Sequence, residues 1–401
     1  MMPSGTIPLQ EAARLSAPPV FDLMLKPVGP LCNLGCTYCY YLGKEDRSRG
    51  DTGRMSPEVL EAAVRSYLAA SQAPEPTFIW HGGEPLLAGL DFFRLAMELQ
   101  SRYSGGRPVR NVLQTNGTLL TPGWAAFLRE HRFLVGISID GPKDLHESHR
   151  GPCFDKVMNG LKLLKDNGVD FNTMTTVNRC SEGRGREVYE CLKQAGSHYM
   201  QFLPVVEFLS PAAGGSRPAV AEPGTPGVTL AGWSVSAAGF GRFMIDIFDE
   251  WVRHDVGEYF VQLFDSTLAA WCGQDAAVCT LARSCRPSAV VGHNGDVYAC
   301  DHFVYPSRKL GNVLQTPLDE LLGQESVKRF ALDKYASLPG RCLRCSYLPP
   351  CNGECPQHRH PKTGINLLCG GYRLFFDHAA PAFDRMRALL AEGRAPREIM
   401  G

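Results

Sequence analysis

Eleven of the fifteen cysteines fall in three short groups, at 32–39, 279–300 and 342–369, and a fold for this chain must bring those thiols to something that uses them. Pairing them as disulfides would suit a short secreted scaffold. In a long chain, close spacing points to metal ligation or redox chemistry. With 401 residues, 44% of them hydrophobic, the chain can bury a core without crosslinks, and at roughly 150 residues per domain it has room for two to three domains.

Charge narrows the partners. Lys plus Arg (41) equals Asp plus Glu (41), the net charge is +0, and the pI is near 7.1, so no basic footprint for a nucleic acid is present. No apolar run approaches the roughly 18 residues of a membrane span. The first 30 residues lack the basic-then-apolar layout of a secretory signal. A soluble, cytoplasmic protein with no nucleic-acid or membrane partner is expected.

Between about 20 and 206, short apolar β-branched runs alternate with helical patterns, which predicts six βα units around a parallel sheet. The strands are expected at 22–28, 77–81, 111–115, 135–139, 170–177 and 198–205. Ser56-Pro57-Glu58 and Thr121-Pro122 carry a cap followed by proline at the first helical position. The stretch 211–232, rich in Pro, Gly and Ala, reads as a loop or linker, and a helix with an apolar stripe (Phe240, Phe243, Ile247, Phe248, Trp251) is expected over 237–254. Beyond Cys272 apolar periodicity is too sparse for burial alone to fold the segment, so metal binding would supply the missing stabilisation.

The first group, Cys32-x3-Cys36-x2-Cys39, directly follows the first strand. Three thiolates on one loop can hold three corners of an iron–sulfur cube and leave the fourth metal open; a structural zinc closed by a distant ligand such as Cys153 is the alternative. Followed by Tyr40-Tyr41, this stretch resembles the signature of the radical S-adenosylmethionine (SAM) superfamily. The resemblance implies a partial (β/α)6 TIM-like barrel, SAM on the open iron, and reductive cleavage to a 5′-deoxyadenosyl radical. Gly82-Gly83-Glu84-Pro85 is similar to the family's GGEP segment, which implies that Gly82, Gly83 and Glu84 receive the SAM amino group. Asn116, ending the third strand, and Ser138 and Asp140, ending the fourth, resemble SAM-contacting positions, as does Arg150, though the segment before Phe154 is shorter than the family's. The neighbouring His146 and His149 are expected to be solvated.

Eight further cysteines form a carboxy-terminal array that two four-iron clusters or two zinc ribbons would equally satisfy; His293, His302, His358 and His360 keep the zinc reading open. The array resembles the SPASM extension of radical SAM peptide-modifying enzymes. With the run Gly292-His293-Asn294-Gly295-Asp296-Val297-Tyr298-Ala299-Cys300-Asp301-His302-Phe303-Val304, it is most similar to the anaerobic sulfatase-maturating branch. That likeness implies that Cys279, Cys285, Cys300 and Cys355 ligate one auxiliary 4Fe-4S cluster and Cys342, Cys345, Cys351 and Cys369 a second, for three clusters in all. A radical SAM barrel over 1–255 and an auxiliary-cluster SPASM domain over 256–401 follow. Cys153, Cys180, Cys191 and Cys272 match nothing in the pattern and are expected to be buried thiols.

The implied reaction is oxidation of a Cys or Ser side chain in an unfolded or nascent sulfatase peptide, in the sequence Cys/Ser-x-Pro-x-Arg, to Cα-formylglycine. Flavodoxin or ferredoxin is the implied electron donor. Asp301 matches the family's general base, and burial beside a negatively charged cluster is expected to raise its pKa. Tyr41 and His81 are placed to contact the peptide. Two other readings share the same cysteines: a SPASM maturase forming thioether or carbon–carbon crosslinks, and a zinc-ribbon binding protein.

Overall fold

The computed structural model describes residues 21–41, 53–211 and 219–401, so part of the expected 211–232 linker lies outside the described residues. The six expected strands form as β1 (Leu23–Leu25), β2 (Thr77–Trp80), β3 (Arg110–Thr115), β4 (Leu134–Ser138), β5 (Phe171–Val177) and β6 (Tyr199–Pro204). They are hydrogen-bonded in chain order and all parallel. Ser56 and Thr121 cap the helices Pro57–Ala70 and Pro122–Glu130 as expected, accepting from Val59 N and Trp124 N. This is the α/β parallel-sheet architecture that the alternating pattern predicts, in the partial-barrel form that the resemblance implies.

Strand faces divide by chemistry. On β3, Asn111, Leu113 and Thr115 are buried under the helices, while Gln114 turns to the other face, where its Nε2 donates to Ser138 Oγ at 3.1 Å. After β6 the chain forms a small antiparallel pair, β7 (Phe208–Leu209) with β8 (Thr229–Leu230), from the described ends of the linker.

The sheet does not stop at six strands. β9 (Phe260–Val261) adds parallel to β6 at one edge, and β10 (Ala289–Val291) pairs in parallel with β1 at the other. β11 (Asp296–Tyr298) and β12 (Gly311–Asn312) follow antiparallel, giving ten strands in the order β12-β11-β10-β1-β2-β3-β4-β5-β6-β9. One sheet therefore crosses residue 255, and β10 and β11 set Asp301, next to Cys300, beside the loop that leaves β1.

The segment beyond Cys272 departs from expectation. Leu318, Leu321, Leu322, Phe375, Phe376 and Phe383 are buried in the same core as the barrel helices. The helix Cys369–Ala391 packs along the helix Ala237–His254, with Phe248 meeting Phe375 edge-on at 5.6 Å. The two approach through glycines: a Cβ on Gly371 would lie 2.0 Å from Ala237 O. Apolar burial thus does much of the work there. It escaped the pattern because these side chains pack against the barrel rather than among themselves.

Candidate active site

The loops leaving four adjacent strand ends, β1 to β4, are stitched together around the first cysteine group. Gly83 N donates to Gly29 O (2.8 Å) and Glu84 N to Leu31 O (2.9 Å), pinning the loop after β2 on the loop after β1. Gly83 must be glycine, because an added Cβ would lie 2.0 Å from Leu31 O. Thr37 N donates to His149 O (2.9 Å) and Tyr38 OH to Asp140, anchoring the cysteine loop to the β4 end and to the helix Lys143–Arg150. Asn116 Nδ2 donates to Asn33 Oδ1 at 2.9 Å and lies 3.7 Å from Cys32 Sγ.

Three residues expected at SAM, Glu84, Asp140 and Arg150, are largely enclosed by protein. Glu84 has no exposed surface, and its carboxylate accepts from Leu86 N (3.0 Å), Thr115 Oγ1 (2.8 Å) and Asn116 N (2.8 Å). Burial pushes it up to about 7 against those donors. Its carboxylate ties the loop after β2 to the end of β3. Asp140, 1% exposed, accepts from Arg150 Nε (2.8 Å) and Nη2 (3.1 Å), from Thr176 N (3.0 Å) and Oγ1 (2.8 Å), and from Tyr38. Arg150 is spent on that carboxylate, so the pair supports the cysteine loop from beneath. His146 is also buried, not solvated: its Nδ1 accepts from Asp140 N at 3.3 Å and its Nε2 lies 3.4 Å from Cys153 Sγ.

Directly after Cys39 on one side and Cys300 on the other lies a cluster that no spacing revealed. Lys26, 2% exposed at the end of β1, is ion-paired with Asp301 and donates to Tyr41 OH. Tyr40 OH donates to the other Asp301 oxygen at 3.1 Å. His81 Nδ1 accepts from Gly82 N at 2.7 Å, which leaves its proton on Nε2, and Tyr40 OH lies 3.5 Å away; burial pulls His81 down to about 4. Asp301, Tyr41 and His81 are thus brought together, as the residue types required. The pKa expectation for Asp301 is overturned: burial alone would raise it, but Lys26, aided by His81, holds the carboxyl below the usual range. The missed signal is a lysine closing an apolar strand, Leu23-Met24-Leu25-Lys26.

None of the fifteen cysteines forms a disulfide. Burial pushes Cys36 up to about 12, with Arg150 opposing and Cys39 and Cys32 adding to the rise, so the three sulfurs feel one another. Burial lifts Cys300 to about 12, with Cys279 and Cys285 contributing, while Cys355 is raised by burial, Glu354, Cys300 and Cys285. A separate set joins Cys351, at about 12 from burial with Glu354, Cys369 and Cys342 adding, to Cys342, which burial, Cys369 and Cys345 raise. That second set lines a cavity of about 220 Å³ with Arg341 and Arg344 at its rim. Crowded thiols held against their own charge suit a polynuclear cluster, whose iron supplies the missing positive charge. Among the described residues no three His, Cys, Asp or Glu side chains close on a point as they would around one bare ion.

Other expectations fare unevenly. Of the four unmatched cysteines only Cys153 is buried; Cys180 is exposed on the turn after β5, and Cys191 and Cys272 are half-buried. His358 is buried and bonded through Nδ1 to Glu354 at 2.8 Å, and His293 is buried. Lys334, also buried, donates to Cys279 O, Thr280 O and Ala282 O, framing the loop between Cys279 and Cys285. Among the described residues no helix is long and apolar enough to cross a membrane.

Comparison with known proteins agrees with this geometry. Residues 27–184 match the radical SAM superfamily and residues 279–346 the SPASM iron-sulfur cluster-binding domain. The serine-type anaerobic sulfatase-maturating enzyme of Bacteroides thetaiotaomicron is 45% identical over 389 residues, 94% of each chain. The cysteine-type enzyme of Clostridium perfringens is 31% identical over 376 residues, 90% of this chain and 97% of that one. The solved structure of native anSMEcpe with bound AdoMet and Cp18Cys peptide superposes with a TM-score of 0.80 at 29% identity, covering 92% of this chain and 99% of that one. With its stitched strand-end loops and cysteine-rich carboxy terminus, this chain belongs to the anaerobic sulfatase-maturating enzymes, radical SAM proteins that carry a SPASM domain.

Proposed function

We propose that the protein oxidises a Ser or Cys side chain in an unfolded sulfatase peptide to Cα-formylglycine. The observation that carries this reading is the Asp301 carboxylate, held by Lys26 and Tyr40 next to Tyr41 and His81 and directly following Cys300. When bound, SAM on a reduced iron–sulfur cluster supplies the radical that takes a Cβ hydrogen, which no side-chain base could remove. The chain's own residues do the rest. Cys32, Cys36 and Cys39 would hold the SAM cluster, and the backbone of Gly82 and Gly83 lines its side of the pocket. Asn116 and Ser138 border that pocket, with Asp140 and Arg150 bracing the cysteine loop.

Asp301 receives the proton of the substrate hydroxyl or thiol, while Tyr41 and His81 border the peptide. Cys279, Cys285, Cys300 and Cys355 would hold one auxiliary cluster and Cys342, Cys345, Cys351 and Cys369 the other, a grouping that their mutual charge supports. The chain then divides in labour at 255/256, cofactor activation before it and auxiliary clusters after it. A one-electron carrier of the flavodoxin or ferredoxin type supplies the electron, in a reducing cytoplasm that keeps the cysteines from pairing as disulfides.

The test is anaerobic incubation of reconstituted enzyme with SAM, reductant and peptides carrying Ser-x-Pro-x-Arg or Cys-x-Pro-x-Arg, read by mass spectrometry. Formylglycine on neither peptide refutes the reaction. Iron analysis should return about twelve irons per chain for three four-iron clusters; a value near four would remove the auxiliary pair.

A further inference from the structure

Lys26 holds more hydrogen-bonding capacity than the protein uses. An ammonium carries three N–H donors. Two of them go to Asp301 and Tyr41, and among the described residues the third has no protein acceptor. The group is 2% exposed and lies 4.9 Å from the Tyr41 ring centre and 5.7 Å from that of Tyr40, so aromatic faces hold it in place. A buried cation with an unfilled donor beside a candidate base is positioned for an anion that exists only during reaction.

We propose that Lys26 is a substrate-contacting residue: its third N–H meets the oxygen or sulfur of the reacting side chain, and this contact matters more for Ser than for Cys. The inference rests on the proton transfer proposed above. In that transfer the substrate O–H or S–H bond breaks and an O–H bond forms on Asp301. No electron changes hands, and the negative charge passes from the carboxylate to the substrate atom. A neutral Asp301 would leave Lys26 as a buried, unpaired cation unless the new anion lies against it. With the anion there, Lys26 stays paired before and after the transfer, and its field stabilises the charge where it develops. A thiol, with an unperturbed pKa of about 8.5, gives up its proton far more readily than an alcohol, so the alkoxide draws more on the cation.

The experiment compares wild type, Lys26→Gln and Lys26→Arg on matched Ser and Cys peptides. Gln can still bond Asp301 but carries no charge; Arg keeps the charge. For Lys26→Gln, Ser-peptide turnover should fall about 100-fold and Cys-peptide turnover about 10-fold, as expected for removal of an oxyanion donor. Formation of 5′-deoxyadenosine is measured in the same reactions, so that turnover on each peptide is compared per radical generated. Lys26→Arg should keep the wild-type ratio of Ser to Cys turnover. Equal losses on both peptides for Lys26→Gln, or no loss, overturn the proposal and make Lys26 a purely structural partner of Asp301. If Lys26→Gln loses its iron or unfolds, Lys26→Arg decides: a Ser-to-Cys ratio shifted ten-fold or more overturns the proposal. Wild-type enzyme inactive on both peptides would sink the parent reading, a result distinct from any ratio measured on an active enzyme.

Discussion

Asp301 is an anion in a largely dehydrated place, and it remains one because Lys26 lies on it. Removing one member of such a pair strands the other, which is why a carboxylate beside a candidate cluster ligand can stay charged. Asp301→Asn keeps the shape and the bond from Tyr40 but cannot take the substrate proton. It should still form 5′-deoxyadenosine while product falls by about 100-fold or more; liquid chromatography of both species in one reaction checks this, and full product yield would remove Asp301 from the mechanism. The residue types of this site were visible in the chain, since Asp301 follows Cys300 and His81 precedes the two glycines. The partner that sets its charge was not visible: Lys26 lies 275 positions away in the chain, and only the parallel pairing of β1 with β10 brings them together.

The elements that carry these residues are strand ends joined by short loops, and their tolerance is low. Gly83→Ala would drive a methyl group into Leu31 O, against backbone that cannot swing aside. It should cost about 2 kcal/mol or more of stability and lower SAM affinity, measurable by urea unfolding and by equilibrium dialysis; a variant with wild-type affinity would show that the loop relaxes freely. The helix Lys143–Arg150 after β4 makes a pH prediction. Burial holds His146 at about 4, against an ordinary value of 6.5, so between those values the unfolded chain takes up a proton that the folded one refuses. Stability is therefore complete above pH 6.5 and declines as pH falls toward 4, by up to about 3 kcal/mol from this group. Replacing His146 with Asn should flatten that part of the stability profile in denaturant titrations at stepped pH. His146 looked like a solvated turn residue because polar sequence context says nothing about which helix, here Phe154–Asp166, will cover it.

At the scale of the whole molecule, one ten-stranded sheet and one shared core link the SAM-side loops to the carboxy-terminal cysteines. The contact between the helices Ala237–His254 and Cys369–Ala391 is the clearest lever on that union. Gly371→Val would wedge the helices apart at Ala237 O and shift Cys369 two residues away. It should destabilise the fold by about 3 kcal/mol and reduce iron content more than Gly83→Ala does; unchanged iron would mean that the second cysteine set stands independently of the core. The six-strand alternation, the helix caps and the cysteine groups were all legible in the chain, because period, capping chemistry and ligand spacing are local properties that neighbours along the backbone express. The edge strands β9 to β12, the burial of the carboxy-terminal helix, the enclosure of Glu84 and Asp140 and the Lys26–Asp301 pair were decided only by packing. Each depends on which distant segment arrives to donate a hydrogen bond, cancel a charge or exclude water, and no short window of sequence contains that information.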